Sequence, residues 1–479
     1  MRFQVGMSVR RNVASAMCLA IVVGCSSTTG SAPAQTQTSH TLQSSIQHVV
    51  VIYQENWSFD GLYGSAAGTN DLSDASSTIP QIDKVTGAPI TKLPQPLDEN
   101  GNPDPDFPAG LPVQPYNAMT YISPSKLTGD IVHRFYQEQS QIDGGKMDKF
   151  VTWSDNPGLV FSYFDATTMP EGALAKQYVL ADNWFHSAFG GSFLNHQWLI
   201  CACSPVFPNA PAGVVAKLDA SGQLALDANG NIIQDGYVTP DGFAVNTSYT
   251  VNTPHPAGVA AAKLVPNQTS PTIGDRLSAA GVSWKWYSGG WDNALAGNPD
   301  PLFQFHHQPF AYFKNFADGT AAKAQHLQDE TKFLSDLQAG TLPAVSFVKP
   351  LGTDNEHPGY SALSAGQQHV ADLVAAVQAS SAWPSTAIII TYDENGGRWD
   401  HVPPPGPFDR WGPGTRVPAI IISPFAKRGF IDHTQYETDS ILAFIEKRWG
   451  LKPLTTRDAN ANPLLNAFTF TSGPATLSR

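Results

Sequence analysis

HVVVIYQENWSFDGLYG, His48 to Gly64, decides how this chain folds. Five consecutive apolar β-formers, Val49 to Tyr53, stop abruptly at Glu55-Asn56. An unbroken apolar run of this length suits a strand covered on both faces, as in parallel sheets. Similar runs recur along the chain: YVLAD (178–182), VSWKWY (282–287), AVSFV (344–348), AIIITY (387–392) and VPAIIIS (417–423). Between them lie segments with helical signals. TIGDRLSAAG (272–281) and AQHLQDETKFLSDLQAG (324–340) each end at a glycine, and SAGQQHVADLVAAVQAS (364–380) opens at a Ser cap. Strand–helix alternation predicts an α/β fold, a three-layer sandwich with a mostly parallel central sheet.

Two segments interrupt this rhythm. Residues 65–125 are rich in Pro, Asp and Asn. Residues 209–268 contain LDASGQLALDANGN, whose spaced Gly-bearing turns predict a β-hairpin insertion. DENGNPD (98–104) and DANGN (227–231) have the look of calcium loops, but the position that needs Glu holds Ala109 and Val238. Turn chemistry explains them better.

The chain has 479 residues, and its formal net charge of −12 argues against nucleic-acid binding, which needs a basic footprint. Arg2, Arg10 and Arg11 precede a short apolar run ending in VVGC at Cys25. This reads as an export leader, residues 1–25, of lipoprotein type, with an ordinary signal peptide as the alternative. The chain is then periplasmic or membrane-anchored through lipidated Cys25, with secretion as the alternative, and residues 26–45 read as a flexible spacer. Residues 46–470 then form a single domain carrying both insertions. Cys201 and Cys203, one residue apart, are expected as buried free thiols.

Ligands of open α/β sheets bind beyond the carboxyl ends of the strands. There the first strand delivers Glu55 and Asn56, the AIIITY strand Asp393 and Glu394, and the AVSFV strand leads to His357. Converging carboxylates repel one another unless a cation sits among them, so these residues predict a divalent metal site. FGGSFLNHQW (189–198) places Ser192 after two glycines. The G-x-S-x-G elbow of serine hydrolases fails at Leu194, which leaves activation of Ser192 by a metal. His306-His307 lie among aromatics, His133 is expected on a helix, and His401 follows in WDHVPPP. His326, His369 and His433 read as structural.

Taken in order, HVVVIYQENWSFDGLYG, DGGKMDKFV, GGSFLNH, FHHQPFAYF, EHPGY, TYDENGGRWDHVPPP and GPGTRVPAIIISPFA resemble the bacterial phosphoesterase family. That family joins phosphocholine-type phospholipases C and acid phosphatases, on a core similar to the alkaline phosphatase superfamily. The resemblance implies one metal ion held by Glu55, Asn56, Asp393, Glu394 and Ser192, with Ser192 also the nucleophile. It implies that His133, His306, His307 and His357 line the phosphate pocket. Ca, Mg and Mn suit such oxygen-rich ligation, with Zn or Fe as alternatives. The GGSF context resembles the acid phosphatase branch and implies hydrolysis of small phosphate monoesters, with His307 or His357 protonating the leaving alcohol. Three other readings stand beside it. A phospholipase C would act on phosphodiesters; Trp57, Trp153, Trp291 and Trp399 could then cage choline, but they read better as core or rim residues. A sulfatase would need a formylglycine signature, which is not evident near Ser192. An anion-binding lipoprotein would bind without turnover.

Overall fold

The computed structural model describes residues 41–76, 79–406 and 409–470; the leader and most of the spacer lie outside them. The end of the expected spacer is ordered instead. Leu42–Ser45 form a helical turn closed by a capping box between Thr41 and Ser44, with Leu42 and Ser45 buried.

Among the described residues, eight strands form the central sheet: β1 (His48–Gln54), β2 (Val179–Ala181), β3 (Trp284–Ser288), β4 (Leu327–Asp329), β5 (Val345–Lys349), β6 (Thr386–Tyr392), β7 (Ala419–Ile422) and β8 (Phe430–Asp432). Their order is β8-β2-β7-β6-β1-β5-β3-β4, and β7 is the one strand that runs antiparallel to its neighbours. Residues 49–54, 345–349 and 386–392 are buried throughout, as strands covered on both faces must be. The helices form two packed groups. Pro170–Gln177 and Glu330–Ala339 pack on Leu363–Ala379, while Ile273–Ala279 and Asp439–Trp449 pack on Ser192–Cys201.

Register decides what the strands deliver. β1 and β6 pair from His48↔Thr386 to Gln54↔Tyr392, so Glu55 and Asp393 leave the sheet side by side. On the other flank Ile52 pairs with Val348, which sets Lys349 beside Tyr53.

Several local expectations are corrected. The helix expected over 324–340 is broken by β4, which adds an edge strand to β3; Asp329 then caps Glu330–Ala339 by accepting the Thr331 N–H. The Leu363–Ala379 helix starts one residue before Ser364, and its N-cap, Ala362, provides no side-chain cap. His133 precedes its helix, which runs Phe135–Ile142. The hairpin expected within 209–268 is a series of isolated bridges, Leu218↔Leu224 and Leu226↔Ile232 among them. There Asp219 and Asp227 each accept backbone N–H groups two and four residues ahead, so side chains rather than a strand ladder close the turns. Asp98 does the same for Asn100 and Asn102, which bears out turn chemistry over a calcium loop. Cys201 and Cys203 are disulfide-bonded, not free. Ala202 takes a left-handed conformation and brings their Cα atoms to 5.1 Å, within the reach of a bridge.

Candidate active site

Glu55 and Asn56 are fully buried at the end of β1. Asn56 has φ +68°, a conformation asparagine tolerates better than most residues and one that turns the chain out of the sheet. Its backbone N–H donates to Asp393 Oδ1 at 3.2 Å, tying the ends of β1 and β6 together. Its side-chain amide donates to His133 Nε2 at 3.2 Å, while His133 Nδ1 donates to the Ile131 carbonyl at 2.5 Å. Asn56 Oδ1 is thereby left buried without a hydrogen-bond partner.

Ser192 is the first residue of the helix Ser192–Cys201, and its hydroxyl donates to Glu55 Oε2 at 3.0 Å. The two glycines before it serve the backbone. A Cβ on Gly190 would come within 2.4 Å of the Phe135 nitrogen, and one on Gly191 within 2.6 Å of the His133 carbonyl oxygen. The serine loop therefore lies directly against the segment that carries His133. Glu138, on the next helix, accepts the Gly190 N–H and pairs with His186.

The other Glu55 oxygen, Oε1, is held by His307 Nε2 at 2.9 Å and by the buried ammonium of Lys349. His307 stacks on His196, ring centroids 4.9 Å apart, and His196 donates from Nδ1 to the Ser192 carbonyl. His306 is buried beside them, its Nδ1 without a hydrogen-bond partner. Across the site His133 Nε2 lies 3.7 Å from Glu394 Oε1, and the His133 and His357 rings are 5.7 Å apart. His357 Nδ1 donates to the Pro358 carbonyl at 2.6 Å.

Thus Glu55, Asn56, Ser192, Asp393 and Glu394 meet at one place, with His133, His306, His307 and His357 around them. Lys349, His196 and Glu138 join this set without having been singled out in the sequence. Lys349 carried a readable signal: a lysine ending the apolar run AVSFVK needs a buried partner.

The electrostatics favour a cation. Burial opposes the charge on Glu55, but His307 and Lys349 outweigh it and hold its carboxyl well below the usual range. Burial and then Glu55 push Asp393 up to about 7. Burial and then Asp393 push Glu394 well above the usual range. Asn56 Oδ1, Asp393 Oδ2 and Glu394 Oε1 are all buried and accept no hydrogen bond. Three unpartnered oxygens among mutually repelling carboxylates fit a divalent cation. Two nearby groups, Glu55–His196–His307 and Asp130–His133–His357, also have spacing that could hold an ion. A third, Asp60–Asp400–His401, already contains a cation: Arg416 bonds Asp400 at 2.8 Å and Asp60 at 3.0 Å. His401 pairs with Asp60 there and serves that buried network. Trp57, Trp153, Trp291 and Trp399 are core residues, not a choline cage.

Known proteins resemble this chain along most of its length. Phospholipase C B of Mycobacterium tuberculosis (strain CDC 1551 / Oshkosh) is 25% identical over 471 residues, covering 90% of this chain and 78% of that protein. Non-specific phospholipase C1 of Arabidopsis thaliana is 26% identical over 487 residues, covering 91% and 74%. A solved protein of the alkaline phosphatase superfamily from Vibrio parahaemolyticus is similar at a TM-score of 0.33 and 11% identity, covering 69% of this chain and 67% of that one. The model described as Phosphoesterase family matches residues 46–452, most of the sequence, and the chain belongs to that family.

Proposed function

We propose that this chain is an exported, metal-dependent acid phosphatase that hydrolyses phosphate monoesters through a phosphoserine at Ser192. One observation carries the reading: the Ser192 hydroxyl lies on Glu55 at the mouth of a cradle of unpartnered oxygens. A divalent ion held by Glu55, Asn56, Asp393 and Glu394 would supply Lewis acidity to a phosphoryl oxygen and lower the barrier to attack. The chain's own groups do the rest. Ser192 Oγ attacks phosphorus in line, its proton already directed at Glu55 Oε2. His306 flanks the transferring group and stabilises its developing charge by hydrogen bonding, while His133 holds the Asn56 amide in place. The bond from phosphorus to the leaving oxygen breaks, and that oxygen takes a proton from His357. His307 is committed to Glu55, whereas His357 uses only Nδ1, on Pro358. Water then attacks the phosphoserine and gives its proton to His357; the bond from phosphorus to Ser192 Oγ breaks, that oxygen takes back its proton from Glu55, and phosphate leaves.

Burial lowers the His357 pKa. Its proton-donating form therefore needs an acidic medium, which supports the acid phosphatase reading. The leader-like N-terminus supports export, and anchoring through Cys25 belongs to the same proposal.

The test is Ser192→Ala on phenyl phosphate, with mass spectrometry of acid-quenched wild-type enzyme. The variant should lose at least about 10³-fold in kcat, and the wild type should carry a phosphate on the peptide containing Ser192. Near-wild-type turnover by the variant would remove Ser192 from this role. A second reading, phosphodiester cleavage in the manner of phospholipase C, is favoured by the names of the relatives. Faster turnover of phosphatidylcholine than of phenyl phosphate would decide for it.

A further inference from the structure

Three rings stand beside the histidines, and the chemistry above leaves them without a task. Tyr360 stacks on His357 with centroids 3.9 Å apart and planes 18° from parallel. Phe305, the residue before His306, meets Tyr249 edge to face at 5.9 Å and 85°. Each of the three is only half-buried, so each keeps exposed surface. They arrive from separate parts of the chain. Tyr360 shares its loop with His357, Phe305 its turn with His306 and His307, and Tyr249 comes from the insertion over 209–268. Burial, then the charges of Asp130 and Glu55 and the phenol of Tyr249, push the Tyr360 hydroxyl up to about 12. Tyr360 is therefore neutral, and the geometry places it on His357 while Phe305 adjoins His306, so both flank the same group of histidines.

From this arrangement, and resting on the phosphatase reading, we infer that Tyr249, Phe305 and Tyr360 form a leaving-group subsite that takes a flat aromatic alcohol. The leaving oxygen must sit near His357 to be protonated, so its substituent projects toward these rings. A quaternary ammonium would need several open ring faces around one point. Tyr360 already gives one face to His357, and Tyr249 and Phe305 are engaged edge to face with each other. A flat ring needs one open face and gains from offset or edge contacts.

The experiment compares kcat/KM for phenyl phosphate, glycerol 2-phosphate and phosphocholine in the wild type, Tyr249→Ala and Phe305→Leu. Comparing ratios across enzymes cancels the intrinsic difference between leaving groups. The phenyl-to-glycerol ratio should fall about 10-fold in each variant, mostly through KM. An unchanged ratio, or a loss confined to phosphocholine, would overturn the subsite. A measurement on the wild type stands independent of variant folding: phenylphosphonate should inhibit about 10-fold more tightly than methylphosphonate, and equal inhibition would overturn the proposal. The two readings fail separately. Loss of turnover in Ser192→Ala with unchanged ratios sinks only the subsite, while activity retained by Ser192→Ala sinks the nucleophile.

Discussion

The carboxylate of Glu138 accepts the backbone N–H of Gly190 at 2.5 Å, two residues before Ser192. Its other oxygen accepts from His186 Nε2 at 2.8 Å and from the Thr415 N–H at 3.1 Å. One buried acid thus fixes the loop that aims the serine. Glu138→Gln keeps the shape but turns part of the acceptor surface into a donor facing donors. Turnover of phenyl phosphate should fall about 10- to 100-fold, through misplacement of Ser192. Unfolding by urea should show a loss of about 2–3 kcal/mol.

The same pair sets a pH dependence of stability. Burial opposes charge on His186, but Glu138 outweighs it, and the folded-state pKa is raised above 6.5. The folded state then holds a proton that the unfolded state releases. This stabilisation is complete below pH 6.5 and is lost as pH rises through the raised folded value. Denaturation measured from pH 5.5 to 9 should show that decline in the wild type, and His186→Gln should lack this component.

Lys349 and Glu55 are both fully buried and paired. Lys349→Met leaves the Glu55 carboxylate with His307 and the Ser192 hydroxyl. Breaking one side of a buried pair costs about 3–5 kcal/mol, so metal-free protein should lose stability on that scale. Added divalent ion should restore part of it, because a cation in the cradle offsets the same carboxylate. Denaturation of the variant with and without Ca²⁺ or Mn²⁺ checks both statements.

Exhaustive chelation should abolish phosphoester hydrolysis and lower the melting temperature. The buried oxygens of Asn56, Asp393 and Glu394 then lose the cation that would satisfy them. Add-back at 100 times the dissociation constant should return about 2.7 kcal/mol of stability, provided the ion binds only the folded state. Activity unaffected by complete removal of metal would exclude the cradle from catalysis.

The sheet was legible because apolar runs such as Val49 to Tyr53 have a single physical use, and the acids at their ends marked the cradle. Ser192 and the histidines were legible through the motifs around them. Glu138 was not, because nothing local distinguishes an acid that faces a loop fifty residues away. Strand β4 was hidden inside a helical pattern, since three residues are too few for periodicity to declare an edge strand. The disulfide was hidden by the left-handed turn at Ala202, which spacing alone does not reveal. The insertion over 209–268 was recognised as turns but misjudged as a hairpin, because Asp219 and Asp227 bond their own loops.

Residues 55, 133, 192, 306–307, 357 and 393 come from six separate passages of the chain, and no fragment shorter than residues 55–394 contains the cradle. Such long-range assembly is slow compared with local helix formation. Recovery of hydrolysis after dilution from denaturant therefore times the last docking events, and it should lag the return of the far-ultraviolet circular dichroism signal.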